Sequence, residues 1–171
     1  MMLKKIEIII TFLLTISAVC HSDIRKEIEE LEKGKINKQV VLSPVEPNYY
    51  ILSNGRRIDL NQWNMVVFMQ STCKYCKEFD PIIKQFTNEK NIKTTVFSFD
   101  GLSDGNFDLV LPVSNEIVAT FFRDLPVATP TVFLVNVDDL TTFPVSQGSM
   151  TKIDFENQIQ KTFMSALEEY K

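Results

Sequence analysis

Histidine and tryptophan occur once each in this 171-residue chain, cysteine three times and glycine five times. The shortage of histidine and cysteine removes most metal chemistry. A structural zinc site needs about four ligands, and beyond one close cysteine pair the only remaining soft ligands are Cys20 and His21. Basic charge is short as well. Eighteen Lys and Arg against 22 Asp and Glu leave a net charge of −4, which argues against a sequence-independent nucleic-acid binder, whose affinity rests on a basic face. Long apolar runs are missing too: the longest mostly apolar stretch, residues 8–19, has twelve residues, so several membrane spans are not expected. No internal repeat or low-complexity tract breaks the chain. What is plentiful is apolar bulk. Hydrophobic residues make up 44% of the sequence and thirteen of them are Phe, enough for one domain with a real core and some extra segment.

The N-terminus has the pattern of an export signal. "MMLKK" is a short basic start, and the apolar run "IIITFLLTISAV" comes next. That run has the length of a signal-peptide core and is short for a membrane span. Ser17, Ala18 and Cys20 offer small residues for cleavage near Cys20–Ser22. A lipid-modified Cys20 fits poorly, since Ser17 and Val19 occupy the positions where that motif wants Leu and a small residue. We therefore expect residues 1–20 to be a Sec-type signal peptide and the mature protein to be periplasmic. Its only cysteines are then Cys73 and Cys76, in an oxidising compartment where a close pair is redox-active or oxidised.

Residues 21–48 read as a charged helix and a linker. Ile24, Ile28 and Leu31 line one side of "DIRKEIEELEK", and Gly34, Pro44 and Pro47 mark residues 34–48 as the linker. From residue 49 the order is hairpin, strand, helix, strand, helix, strand, strand, helix. The Asn-Gly of "YYILSNGRRIDL" signals the hairpin. "NMVVFMQ" is a buried strand. "TCKYCKEFDPIIKQFTNEK" has a helical pattern through Phe79, Ile82, Ile83 and Phe86, with Pro81 expected to kink it. "IKTTVFSFD" is a second strand and "GLSDGNFDLVLPV" is loop-like. "SNEIVATFFRDL" is a helix with Ser114 as N-cap. "PVATPTVFLVNV" leads from a proline-rich turn into a strand, and Pro144 places "TTFPVSQG" at a sheet edge or bulge. Phe155, Ile159, Phe163 and Leu167 form the apolar stripe of a closing helix. Strands separated by helices imply parallel crossovers, and the closing strand pair implies an antiparallel part. The fold class is α/β with a mixed sheet flanked by helices.

Three chemistries are open to "CKYC" at residues 73–76. Zinc fails on ligand number. A purely structural disulfide closes too small a loop to constrain the unfolded chain much. A redox pair explains the placement: Cys73 falls just after a strand, at a helix start, where free backbone N–H groups and the helix dipole stabilise a thiolate. The thiolate is the species that attacks a disulfide, and Cys76, one helical turn on, can reach the same sulfur. Cys73 is the candidate nucleophile and Cys76 the candidate resolving cysteine. No metal and no cofactor is implied.

Residues 64–168 resemble the thioredoxin fold. "VVFMQSTCKYC" corresponds to the strand and active-site loop, and Pro81 to that family's helix proline. "VATPT" is similar to the loop whose proline is cis and faces the cysteines. The resemblance implies a cis Thr129–Pro130 bond, with Thr129 and Pro130 lining a groove that receives an extended substrate strand. "LSNGRRIDLNQW", "VVFMQSTCKYCKEFDPIIKQ" and "LPVATPTVFLVNVDDL" together resemble the TrbB family, periplasmic thiol-disulfide isomerases of F-type conjugative transfer systems. That resemblance implies a part in type IV secretion and pilus assembly. The partners it implies are disulfide-containing periplasmic transfer proteins.

Two positions depart from the wider families. Many thioredoxins carry a buried acid on the strand, six residues before the first cysteine; Val67 stands there. The remaining acidic candidate for the Cys76 proton is Glu78, on what reads as a solvated helical face. Residues 21–48 are also too short for the N-terminal dimerisation domain of V-shaped bacterial isomerases. The expected function is that of a thiol-disulfide isomerase or oxidoreductase, kept reduced by a membrane-bound thiol reductase. A periplasmic thiol reductase and a largely non-catalytic, peptide-binding assembly factor remain the alternatives.

Overall fold

The Asn-Gly signal falls where the chain does reverse. The computed structural model describes residues 45–169, so the expected signal segment and nearly all of the expected charged helix and linker lie outside the described residues. Strand β1 (Tyr49–Ile51) pairs antiparallel with β2 (Arg57–Asp59), Tyr50 opposite Ile58. The turn is longer than a two-residue loop. Leu52 N–H donates to the Arg56 carbonyl (2.8 Å) and Gly55 N–H to the Leu52 carbonyl (2.9 Å), with Gly55 at φ +81°. Glycine takes that conformation without a Cβ penalty. A 3₁₀ turn at Leu60–Gln62, capped by Asp59, feeds the next strand.

The main sheet has five strands in the order β5-β4-β3-β6-β7. Strand β3 (Trp63–Met69) runs parallel to β4 (Lys93–Ser98), and β4 is parallel to β5 (Leu111–Pro112). On the other side β3 is antiparallel to β6 (Thr131–Asn136), and β6 to β7 (Thr142–Gln147). Helix α1 (Lys74–Lys90) joins β3 to β4, α2 (Asn115–Phe121) leads toward β6, and α3 (Lys152–Glu169) comes after β7. A parallel β-α-β half and an antiparallel β-β-α half on one mixed sheet is the thioredoxin-like arrangement. Residues from Glu46 onward make one compact unit.

Strand β3 is central and therefore apolar on both faces, as strands covered on two sides must be. Its alternation splits the core. Met65, Val67 and Met69 pack with Phe79, Ile83, Phe155, Ile159 and Phe163 of α1 and α3. Val66 and Phe68 pack on the other face with Phe122 and Phe133. Phe68 alone meets Phe97, Phe99, Phe121, Phe122 and Phe133 with ring centroids 4.8–6.1 Å apart. The hairpin is pinned through Tyr50, whose ring lies 5.8 Å from Phe163 and 6.3 Å from Phe86.

Several expectations meet their residues here. Ser114 caps α2 by accepting the Ile117 N–H. Pro144 lies on the edge strand β7, whose register slips against β6 between Val132 and Phe133. The α3 stripe is buried at Phe155, Ile159 and Phe163. Helix α1 continues through Pro81, the proline expected within it. One detail differs. The stretch that reads as a loop, 101–113, contains the two-residue strand β5, Leu111 opposite Phe97.

Candidate functional site

The end of β3 delivers the chain to α1 through a tight turn, with Cys73 N–H bonded to the Gln70 carbonyl at 3.0 Å. Cys73 is then the N-cap of α1. Its own sulfur accepts the Cys76 N–H at 3.2 Å, so a thiol takes the part that Ser or Asp plays at most helix starts. Both cysteines are free thiols; Cys73 is half-buried and Cys76 fully buried. Their environments push them apart. Burial opposes ionisation of Cys73, but hydrogen bonds from the Cys76 side chain, from Thr129 and from the Cys76 and Tyr75 backbone outweigh it, and its pKa falls below the ordinary thiol value. Burial pushes Cys76 up to about 12, helped by its bond to the Cys73 sulfur and by the charge of Asp80. Lys74 contributes little, since it is exposed and 3.9 Å from Glu78 in a surface i,i+4 pair.

The proline loop completes the site from the other half of the sheet. The Thr129–Pro130 bond is cis, and the Thr129 carbonyl accepts from the Cys73 thiol at 3.5 Å. The structure thus brings together all four residues singled out from the sequence: Cys73, Cys76, Thr129 and Pro130. The loop is tied down by the end of β7. Gly148 N–H donates to the Pro130 carbonyl (2.8 Å), and the Gln147 amide donates to the Pro126 carbonyl (2.7 Å). Exposed Tyr75 and Val127 border the site.

Two acidic residues matter that sequence reasoning missed. Asp100, just past β4, accepts from Ser71 N–H (3.1 Å), Ser71 Oγ (2.6 Å), Ser98 Oγ (2.6 Å) and Leu102 N–H (3.2 Å). The Ser71 and Ser98 hydroxyls, with the Leu102 and Ser71 amides, hold its carboxyl well below the usual range. It staples the turn before Cys73 to the neighbouring strand. Replacing Asp100 by Ala should loosen that turn, weaken the Cys76 N–H bond to the Cys73 sulfur and so slow Cys73 alkylation at mildly acidic pH roughly three-fold. Iodoacetamide labelling from pH 5 to 9 checks this; an unchanged profile refutes it.

The second is Asp80. Glu78, the acid considered for the Cys76 proton, is exposed. Asp80 is wholly buried, and neither carboxylate oxygen has a hydrogen-bond donor. Burial, with Asp104 nearby, raises its pKa to about 8. Helical spacing carried the signal: Cys76, Asp80, Ile83 and Thr87 fall at steps of four, three and four along the buried face of α1.

Among the described residues no cluster of three or more His, Cys, Asp or Glu stands ready for a metal ion. The arrangement supports dithiol chemistry: one activated, reachable sulfur and a second held one turn below it.

The family model described as TraF: F plasmid transfer operon protein matches residues 59–160. Protein TrbB of Escherichia coli (strain K12) is 42% identical over 109 residues, covering 64% of this chain and 60% of that protein. The chain therefore spans 60% of the length of that curated relative. Among solved structures, a thiol:disulfide interchange protein of the thioredoxin family from Chlorobium tepidum TLS shows 13% identity and a TM-score of 0.46. It covers 70% of this chain and 99% of its own. The exposed lipoprotein thioredoxin of Streptococcus pneumoniae strain TIGR4 shows 17% identity and a TM-score of 0.45, over 66% of this chain and 96% of its own.

Proposed function

The chain belongs to the TraF family of F plasmid transfer operon proteins, and from that premise we propose that it is a periplasmic thiol-disulfide oxidoreductase. Within that class it acts as a disulfide isomerase on disulfide-containing proteins of a conjugative pilus and type IV secretion assembly. The observation that carries the reading is the contrast between the two sulfurs: Cys73 half-buried, capping α1 and lowered in pKa, Cys76 fully buried and raised. The 42% identity to TrbB supports the transfer-system context.

The Cys73 thiolate attacks one sulfur of a substrate disulfide. A Cys73–substrate disulfide forms, the substrate S–S bond breaks, and the second substrate sulfur leaves with the electron pair. In isomerisation that sulfur attacks another disulfide of the same substrate. A substrate thiolate then displaces Cys73, which leaves as a thiolate with no net oxidation. Where rearrangement stalls, Cys76 attacks Cys73, releases the substrate as a thiol and leaves the Cys73–Cys76 pair oxidised. Thr129 and Pro130 form the rim against which an extended substrate segment lies.

An isomerase must begin each cycle as a dithiol, and the bacterial periplasm is kept oxidising. A separate donor, a membrane-bound thiol reductase, therefore has to reduce the pair. Acid-quenching cells and tagging free thiols with a mass-shifting alkylator tests this. The expected result is mostly reduced Cys73 and Cys76, turning oxidised when the reductase is deleted. An oxidised pair in both strains overturns the isomerase. Reactivation of a scrambled disulfide protein by the reduced chain separates an isomerase from a reductase, which opens the wrong bonds without restoring the right ones.

A further inference from the structure

The two parts of the site are anchored separately. The Cys73 sulfur is held from α1, where it accepts the Cys76 N–H at 3.2 Å, and the turn before it is closed by the Cys73 N–H on the Gln70 carbonyl at 3.0 Å. The rim, residues 126–130, comes from the other half of the sheet. The two parts meet at the Thr129 carbonyl, 3.5 Å from the Cys73 sulfur. That contact is too long to place the rim, so the rim must be placed from its own side.

The end of β7 does this. Pro126 and Pro130 contribute no backbone N–H, so the order of the rim depends on what its carbonyls accept. The Pro126 carbonyl accepts from the Gln147 side-chain amide (2.7 Å), the Ala128 carbonyl from the Thr131 hydroxyl (2.8 Å) and the Pro130 carbonyl from the Gly148 N–H (2.8 Å). The same Gln147 nitrogen lies 3.4 Å from the Thr131 hydroxyl oxygen, so the group that holds Ala128 is itself held. Gln147 thus reaches, directly or through Thr131, the carbonyls on both sides of Val127, whose side chain is 53% exposed.

The bulge in β7 puts Gln147 there. Pro144 lies opposite Phe133 and Ser146 opposite Val132, so Val145 is an extra residue between them. Without it Ser146 would stand opposite Thr131; with it Gln147 does. Bulges beside sites re-aim side chains, and this one replaces a short hydroxyl with an amide long enough to span to the Pro126 carbonyl. Gln147 is exposed and belongs to neither core cluster, so replacing it leaves the core intact.

We propose that Gln147 is a positioning residue for substrate. Its amide fixes the Val127–Thr129 segment as the wall against which an extended, cysteine-bearing segment of a protein substrate lies. It thereby sets affinity for such segments and leaves the reactivity of Cys73 to α1. The inference rests on the proposed function, in which Thr129 and Pro130 form that rim. Misplacing a positioning group by about 1 Å can cost on the order of 10²-fold in rate. Here the Thr131 and Gly148 bonds remain when the amide is lost, and the expected cost is about five- to ten-fold.

The test compares two activated disulfides: a short neutral peptide whose central cysteine carries thionitrobenzoate, and N-acetylcysteine amide carrying the same group. In each, the Cys73 thiolate attacks the cysteine sulfur and a Cys73–cysteine disulfide forms. The bond to thionitrobenzoate breaks, and that coloured thiolate leaves with the electron pair. Gln147→Met keeps the side-chain length and loses the donor. In it the peptide concentration giving half the limiting rate should rise about five-fold or more, while the limiting rate and the rate with the small disulfide stay within about two-fold. Gln147→Lys restores an N–H donor and should recover most of the peptide affinity. An unchanged peptide dependence in Gln147→Met overturns the proposal. So does equal slowing with both disulfides, which marks a loosened site, and so does a Lys protein as weak as the Met protein, which removes the hydrogen bond as the cause. If the unsubstituted chain releases no thionitrobenzoate from either disulfide, the proposed function itself falls, and the inference with it.

Discussion

Cys76→Ala should accumulate covalent adducts with periplasmic proteins, and Cys73→Ala should accumulate almost none. The difference expected on non-reducing gels is at least ten-fold, and the reason lies in the separate environments of the two sulfurs. In Cys76→Ala, Cys73 still caps α1 and still receives the backbone N–H of residue 76. It loses the Cys76 side-chain bond that helps lower its pKa, so it attacks somewhat more slowly, but the adduct has no internal thiol to release it. In Cys73→Ala the remaining sulfur is still Cys76, which burial, the largest cause of its raised pKa, keeps as a thiol even though the bond to Cys73 is lost. Little of it is then thiolate at neutral pH, and its burial bars substrate from it. Alkylation of the reduced, unsubstituted protein at mildly acidic pH should accordingly label Cys73 first. Equal adduct levels from the two variants, or preferential labelling of Cys76, would falsify the assignment of roles.

What the sequence disclosed and what it withheld divide along one line: local pattern against long-range contact. The β3 run, the helix start at Cys73 and the capping Ser114 are written in neighbouring residues, and the structure has each of them. The cis Thr129–Pro130 bond was legible only through resemblance, and it too is there. Strand β5 was missed because two residues, Leu111 and Pro112, carry no periodicity; only pairing with Phe97 and Ser98 makes them a strand. Asp100 was missed because its partners Ser71 and Ser98 meet only when β3 and β4 lie side by side. The Gln147 amide reaching the Pro126 carbonyl is of the same kind. Asp80 is a different case. The periodicity of α1 places it on the buried face, yet a charged residue beside a proline looks like surface, and the positions that draw attention for an acid are Val67 and Glu78. Helical phase decides burial here, and charge does not override it.

Asp80→Asn should make the protein more stable at alkaline pH and hardly change it at acid pH. The carboxyl group of Asp80 titrates near 8 in the folded chain, against an ordinary aspartate value of 3.8. Its folded pKa is raised, so between those values the folded state holds a proton that the unfolded state has released. Stability then falls as pH rises through this window. Below about pH 4 both states are protonated and Asp80 costs nothing; above about pH 8 the folded state carries a buried carboxylate and the full penalty. One pKa unit corresponds to 1.36 kcal/mol, which allows a gain of roughly 2–4 kcal/mol for the Asn protein at pH 8.5 once relaxation around the site is discounted. Asn is of nearly the same size and stays neutral. Urea unfolding under reducing conditions at pH 4.5, 6.5 and 8.5 measures the difference. The two stability curves should meet at the acid end and diverge steadily toward the alkaline end. Parallel curves would show that Asp80 ionises in the folded chain as it does in the unfolded one. Divergence would show that the buried carboxylate at this position limits stability at alkaline pH.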